Sequence, residues 1–241
     1  MNIKKFENLV IYEDNHLLVV NKPSSVAVQN DGVSKVTIHD QAKEYLKIAH
    51  KKPGNVYLAI VHRLDQSVSG VLIFAKTSKA AKRLNIQFKE KSLASLGDVP
   101  SLMKKKYLVL VDGYVAAEEK YLINHIIKKN HRAFIISMTE KSKKAKLFFR
   151  TISRSNNMSL LEIDLITGYY HQIRCQLANI NHSVVGDQKY SSKIKSKRGQ
   201  IFLHCIEMTI IHPVSKKSLI LKAPVPLTWN DYLRELVVKR K

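Results

Sequence analysis

The chain has 241 residues, of which 45% are hydrophobic and 25% are charged, the ordinary mixture of a soluble globular protein. This composition excludes wholesale disorder, a collagen-like repeat and a disulfide-bonded miniature fold. The 41 Lys and Arg residues against 19 Asp and Glu residues give a net charge of +22. Such a surface attracts polyanions, so nucleic acid is the leading class of partner and an acidic membrane surface is the second.

The two cysteines and the short apolar runs indicate in which cellular compartment the protein works. Cys175 and Cys205 form no CxxC pair, which favours a reducing compartment. The first residues lack the apolar core of a signal peptide, and the longest apolar runs are far shorter than a bilayer span. Histidine spacing offers no helical ligand pair. We therefore expect a cytoplasmic protein with no membrane partner and no metal.

In chain order, the first part of the sequence predicts three short strands and two helices. The first strand ends where Pro23 removes a backbone donor. Thr37 is predicted to cap the first helix, and Ser78 is predicted to cap the second. These elements are Leu17–Val20, Ile38–Ile48, Leu58–Val61, Gly70–Lys76 and the helix that begins at Ser78.

The second part predicts a loop, then mostly antiparallel strands with two further helices. Strands that follow one another with helices between them indicate an α+β fold around a largely antiparallel sheet, in one domain that spans residues 1–241. The predicted elements are a loop over Ser92–Met103, strands over Tyr107–Val115, Ala133–Met138, Lys146–Ile152 and Leu160–Ile166, a helix over His171–Asn181, strands over Ile201–Ile211 and Leu219–Leu221, and a closing helix capped by Thr228.

Basic residues cluster in several predicted loops, where they are placed to reach a phosphate backbone. Any one of these clusters is equally well read as ordinary solvated surface, but the net charge of the whole chain is larger than surface lysines usually give. Aromatic residues make up only 7% of the chain, so a stacking platform for single-stranded nucleic acid is not indicated. The clusters are Lys104–Lys106, Lys128–Arg132, Lys141–Lys146 and Lys193–Arg198.

The most informative stretch is the polar loop between the strands around Leu58–Val61 and Gly70–Lys76. It places Arg63 two positions before Asp65. A neighbouring cation favours the ionised form of a carboxyl group, which suits a nucleophile or an electrostatic role rather than a general acid. A loop Asp more often bonds to its own backbone, and spacing alone favours that interpretation.

Several motifs together resemble the RluA-type pseudouridine synthases, the family of ribosomal large-subunit synthases A, C and D. Four motifs in the family's order and approximate spacing are far more specific than one. They are Asn21-Lys22-Pro23, His62-Arg63-Leu64-Asp65 with Ser69-Gly70, Lys105-Lys106-Tyr107 through Asp112-Gly113, and Thr167-Gly168-Tyr169-Tyr170-His171-Gln172-Ile173-Arg174 with Gly186-Asp187-Gln188-Lys189-Tyr190. Leu203-His204, His212-Pro213 and the segment from Pro224 to Pro226 resemble its C-terminal strands.

The resemblance implies an enzyme that converts uridine in RNA to pseudouridine without a metal or organic cofactor. Asp65 matches the catalytic aspartate, and three roles stay open for it: attack on the sugar, addition to the base, or removal of a sugar proton. Tyr107 matches the tyrosine that lies against the base. Arg174 matches the arginine that pairs with the aspartate, and a bidentate pair with Asp65 is expected.

The resemblance also implies how RNA is bound. Arg63 matches the arginine that fills the space left by the flipped nucleotide. We expect a short rRNA or tRNA stem-loop as partner, no separate N-terminal RNA-binding domain, and a monomer. The remaining candidate RNA-binding residues are Lys22, His62, Lys106, His171 and Gln172.

Three positions depart from the family pattern and bear on substrate choice. The family usually has Thr at Val68, Gly at Ser25 and Arg at Tyr169. The Ser92–Met103 loop also looks longer than usual. An alternative function is a catalytically silent basic protein that binds RNA or assists ribosome assembly on the same fold. Asp65 and its two expected partners favour the enzyme.

Overall fold

The structure is a computed structural model that describes residues 3–30, 32, 36–94, 103–196 and 200–237. Within these residues, eleven strands form one mixed sheet, against which five α-helices pack. The strands are β1 (Val10–Glu13), β2 (Leu17–Lys22), β3 (Ala59–Ile60), β4 (Ser69–Ala75), β5 (Lys104–Asp112), β6 (Glu119–Lys129), β7 (Arg132–Ile136), β8 (Lys143–Arg154), β9 (Met158–Leu165), β10 (Leu203–Ile211) and β11 (Ser218–Lys222). The helices are α1 (Ile3–Glu7), α2 (Ile38–Ala49), α3 (Ser78–Ala94), α4 (Gln172–Asn179) and α5 (Asn230–Val237).

The sheet consists of two antiparallel halves that meet at one short parallel contact. Its strand order is β1-β2-β4-β10-β5-β9-β8-β6-β7, with β3 on β4 and β11 on β10. The parallel pair is β4 and β10, where Ser69 lies beside His204 and Gly70 beside Cys205. Gly70 has a φ of +117°, and a Cβ atom there would overlap the Cys205 backbone. This position therefore requires glycine.

The half-sheet around β2 and β4 is buried on both faces. Alternate residues point to opposite sides, so Leu18 and Leu72 face one core cluster while Val19 faces another. Full burial of each such side chain stabilises the fold by about 2 kcal/mol. Thr37 and Asp40 form a reciprocal capping box at the start of α2, as the sequence predicts for Thr37.

The half-sheet from β5 to β7 has an inner face that α4 covers and an outer face that is largely open. On β8, Leu147 and Phe149 point inward and are buried, whereas Arg150 points outward and is exposed. The closing helix α5 and the turn before it cover the outer face at β5 and β9, where Trp229 and Leu236 share a core cluster with Leu110 and Leu160. At the end of β8, Ser153 donates a hydrogen bond to the Leu236 carbonyl.

The sequence predicts most of these elements, with instructive differences. Thr77, rather than Ser78, caps α3, because its hydroxyl accepts a hydrogen bond from the Ala80 N–H. Strand β6 was not predicted: Tyr121 and Ile123 are exposed while Leu122 is buried, so apolar residues occupy both faces and the alternation is lost. The predicted loop over Ser92–Met103 begins inside α3, and its residues 95–102 lie outside the described residues. The part of the chain that the structure describes contains no helix long and apolar enough to cross a bilayer.

Candidate active site

The loop that carries Asp65 connects β3 to β4 and is held at both ends. Its Asp65 carbonyl accepts a hydrogen bond from the Val68 N–H at 3.0 Å, which closes a tight turn. The Ser69 hydroxyl is hydrogen-bonded to Nδ1 of His204 at 2.8 Å, in a fully buried contact across the parallel pair. Since hydrogen bonds hold both the backbone of this turn and the Ser69 side chain, the Asp65 carboxylate lies on a rigid loop.

Lys22, at the end of β2, holds this loop from behind. Its side chain is fully buried, and its ammonium donates to the carbonyls of Pro23, Val26 and Gln66 at 2.8–3.0 Å. Burial lowers the pKa of Lys22 to about 7, and the Asp65 carboxylate opposes that shift. The sequence predicts that Lys22 binds RNA. In the structure the ammonium faces the protein interior, so Lys22 supports the loop instead of reaching the cleft.

Arg174 on α4 holds two carboxylates at once. Its Nη1 donates to Oδ2 of Asp65 at 3.0 Å, while Nε and Nη2 donate to the two oxygens of Asp187 at 2.6 and 2.9 Å. Burial alone would lower the pKa of Arg174, but the bonds to both carboxylates raise it. Arg174 therefore pairs with Asp65 as predicted, but through a single hydrogen bond. The bidentate contact that was expected for Asp65 is made with Asp187.

Tyr107 on β5 forms the wall opposite the Asp65 loop. Burial raises the pKa of Tyr107 well above its ordinary value, and Cys205 and Asp65 add to the shift, so the phenol keeps its proton. Lys105, two residues earlier on the same face of β5, lines the same pocket, and burial lowers its pKa to about 8. Lys106, the lysine predicted to bind RNA, points to the outer face and pairs with Glu162 at 3.0 Å, so it does not line this pocket. Its contact with RNA stays a prediction.

His171, the residue that precedes α4, extends the contacts of Asp65 toward the β6–β7 turn. Its Nε2 lies 3.4 Å from Oδ2 of Asp65, and its Nδ1 lies 3.1 Å from the Tyr190 hydroxyl, which also accepts from the Ala133 N–H at 2.8 Å. Burial lowers the pKa of His171 to about 3, and the positive charge of Arg174 adds to this effect. His171 is therefore neutral at physiological pH. It is buried beneath the Tyr170 ring, with a centroid distance of 3.9 Å.

These side chains surround a pocket of about 90 Å³, and a wider cleft of about 810 Å³ shares five of its lining residues. Asp65, Tyr107 and Arg174 all line the inner pocket, so the structure brings the three predicted catalytic residues together. Arg63 is exposed and lines both cavities, and its role in RNA binding stays a prediction. Lys189 joins Arg63 and Arg174 as a third cation in the wider cleft.

Two further predicted RNA-binding residues have structural contacts instead. His62 stacks on Phe88 at 4.9 Å and accepts a hydrogen bond from the Ile73 N–H, and it does not line either cavity. Gln172 is buried at the pocket wall, where its carbonyl oxygen accepts from the Thr167 hydroxyl and from the Tyr169 N–H. Gln172 therefore shapes the pocket by holding its lining loop, and its amide is already hydrogen-bonded within the protein.

The three departures from the family pattern all lie around these cavities. Ser25 has a φ of +68°, so it adopts the left-handed conformation that favours glycine, and it lines the wider cleft. Val68 and Tyr169 line the inner pocket, and the Lys143 ammonium lies 5.6 Å from the Tyr169 ring. The cleft at Tyr169 therefore presents an aromatic ring with a lysine beside it.

Comparison with known proteins identifies the fold and then the family. The fold matches the solved structure of human RNA pseudouridylate synthase domain containing 4, with a TM-score of 0.79, 20% identity, and coverage of 98% of this chain and 95% of that one. The family model for RNA pseudouridylate synthase matches residues 16–179. The chain therefore belongs to the RNA pseudouridylate synthase family and is an isomerase that acts on RNA.

Curated relatives agree with this assignment. Ribosomal large subunit pseudouridine synthase C of Buchnera aphidicola subsp. Baizongia pistaciae is 33% identical over 96% of this chain and 71% of the relative. The synthase of the same name from Vibrio cholerae is 31% identical over 97% of this chain and 71% of the relative. The RluA-type resemblance read from the motifs is thereby confirmed.

Proposed function

We propose that this chain converts uridine to pseudouridine in structured ribosomal RNA, with Asp65 as the catalytic residue. The observation that carries the proposal is the Asp65 carboxylate, held by Arg174 at 3.0 Å in a pocket that Tyr107 also lines. The relatives are named for the ribosomal large subunit, which favours rRNA over the tRNA stem-loop that the sequence also allowed.

The reaction is an isomerisation whose atoms balance without a co-reactant. The bond between C1′ of the ribose and N1 of uracil breaks, and a bond between C1′ and C5 forms. The proton lost from C5 is matched by the proton that N1 gains. Asp65 contacts the reacting nucleoside, Tyr107 lies against the base, and Arg174 is a positioning residue that orients Asp65.

The target nucleotide must leave its stack to enter a pocket this narrow, at a cost of a few kcal/mol. Arg63 lies at the entrance, where its guanidinium fills the vacated space in the helix. The basic surface offsets part of the cost by binding phosphates. Cytoplasmic location, a single domain and a monomer stay predictions.

The test follows tritium release from rRNA and tRNA transcripts labelled at C5 of uracil. We expect Asp65→Asn to lower the rate on the order of a thousandfold or more, because it removes the reactive carboxylate at nearly constant shape. The matched control, Asp231→Asn, changes an exposed carboxylate in α5 and should keep the rate. Release only from tRNA would overturn the choice of rRNA. No release from either RNA would favour a silent RNA-binding protein.

A further inference from the structure

The outer face of β8, β6 and β7 gathers aromatic side chains from distant positions in the chain. Tyr121 on β6 lies opposite Phe148 on β8, with ring centroids 4.9 Å apart. Phe134 on β7 lies opposite Ile127 on β6. Tyr121 is 55% exposed and Phe134 is 39% exposed. None of the described helices packs over these rings. We call this surface the outer platform and define it by Tyr121, Ile123, Phe134, Lys144, Lys146 and Phe148.

Positive charge lies directly beside the rings of the outer platform. The Lys146 ammonium is 5.1 Å from the centre of the Tyr121 ring. Lys144, two residue pairs further along the same two strands and on the same face, is exposed. Neither lysine forms an ion pair with a residue that the structure describes. Arg150 lies 5.9 Å from the Phe148 ring and 3.8 Å from Glu119. Arg132 lies 5.4 Å from the Phe134 ring, so each of the three rings has a cation beside it.

The spacing of the platform suits an extended oligonucleotide. Tyr121 and Ile127 are six residues apart on β6, a separation of about 20 Å at the usual rise of a strand. Two or three bases stacked on the aromatic side chains of an open sheet are a known mode of single-stranded RNA binding. Stacking requires only an exposed ring, and flanking cations bind the phosphates without regard to sequence. This face has both the exposed rings that stack on bases and the cations that bind phosphates.

We propose that the outer platform binds a single-stranded segment of RNA, with bases stacked on Tyr121, Phe148 and Phe134 and phosphates beside Lys144 and Lys146. The inference rests on the proposed function in one respect, since it takes RNA as the substrate. It adds a second contact area on the opposite face of the sheet from the Asp65 pocket. The low aromatic content argued against such a platform, but the sheet register puts three rings on one face of the sheet.

The test measures fluorescence anisotropy of a labelled oligoadenylate of about ten nucleotides, a length typical of single-strand binding sites. Oligoadenylate contains no uridine for the pocket. Tyr121→Ala should weaken binding about tenfold, because loss of one stacking ring costs about 1–3 kcal/mol. Tyr121→Phe keeps the ring and should bind as the unmodified protein does. The matched control is Tyr57→Ala, because Tyr57 is 53% exposed in the other half of the molecule.

Three outcomes contradict the platform. Binding by Tyr121→Ala that equals that of the unmodified protein overturns the stacking role. Equal weakening by Tyr57→Ala means that the loss of binding is not specific to the outer platform. Sedimentation that shows a dimer of the unmodified protein, converted to monomer by Tyr121→Ala, assigns the face to self-association instead. These measurements do not depend on turnover, so inactivity toward uridine would overturn the proposed function and leave the platform standing.

Discussion

Asp65 and Asp187 share one guanidinium and yet occupy opposite environments. The side chain of Asp187 is 1% exposed, and both of its oxygens accept hydrogen bonds from Arg174. The side chain of Asp65 is 27% exposed, and Arg174 contacts only its Oδ2. Within the described residues, Oδ1 of Asp65 accepts no hydrogen bond. The buried carboxylate therefore fixes the arginine, and the exposed one is left with an oxygen that faces the pocket.

The strongest test of this comparison removes the shared guanidinium. Arg174→Met should lower kcat about a hundredfold while changing the Kd for RNA little, because it acts on the orientation of Asp65. It should also reduce the free energy of unfolding by about 4 kcal/mol, since Asp187 is left charged and buried. Rapid-quench turnover, filter binding and urea unfolding give the three values.

The same experiment needs a variant that keeps the positive charge. Arg174→Lys should recover part of the stability but less of the turnover, since an ammonium cannot reproduce the planar contacts to both carboxylates. A loss of RNA affinity as large as the loss of kcat would mean that Arg174 instead binds the RNA backbone.

A smaller effect is expected from the buried carboxylate alone. Asp187→Asn should reduce the free energy of unfolding by about 2 kcal/mol, because the amide can accept from Arg174 but supplies no charge. Asp65→Asn removes a contact that is partly exposed and should reduce it by less than about 1 kcal/mol. Urea unfolding of the two variants in parallel measures the difference. Equal losses of stability would contradict the division of roles between the two carboxylates.

The effect that is smallest near neutral pH is an acid-dependent loss of stability from His171. Its pKa lies near 3 in the folded protein and near 6.5 when the residue is unconstrained. Between these values the unfolded chain binds a proton that the folded chain does not, so stability falls as the pH drops below about 6.5. His171→Asn should lessen that fall. Unfolding curves that stay parallel for the two proteins over this range would show that His171 is already charged in the fold.

Much of the site was predictable because its residues belong to recognisable motifs. The sequence placed Asp65 in a loop between two strands, and the resemblance paired it with Arg174 and put Tyr107 against the base. The structure brings the three to one pocket. Local patterns also gave the Thr37 cap and the end of β2 before Pro23. These features depend on neighbouring residues, which a sequence shows directly.

The features that were missed depend on register and burial. Lys105 shares a face of β5 with Tyr107, and the two-residue period of a strand was sufficient to prefer it over Lys106. Lys22 is polar and lies in a motif, yet its three acceptor carbonyls come together only in the folded chain. The double contact of Arg174 with Asp187 likewise depends on how the turn at Gly186 packs against α4. No local pattern signals these long-range contacts.

The short parallel contact between β4 and β10 has a mechanical consequence. Asp65 belongs to one half of the sheet, whereas Tyr107 and Arg174 belong to the other, and the halves join through two residue pairs at Ser69 and Gly70. Outside the sheet ladder, a shared core cluster and the 2.8 Å contact between His212 and Asp14 also connect the two halves. The pairing at Gly70 therefore sets the local distance between the Asp65 loop and β5. A side chain at Gly70 would overlap the Cys205 backbone and push β4 away from β10, so the catalytic geometry would be lost even though no residue of the pocket had changed.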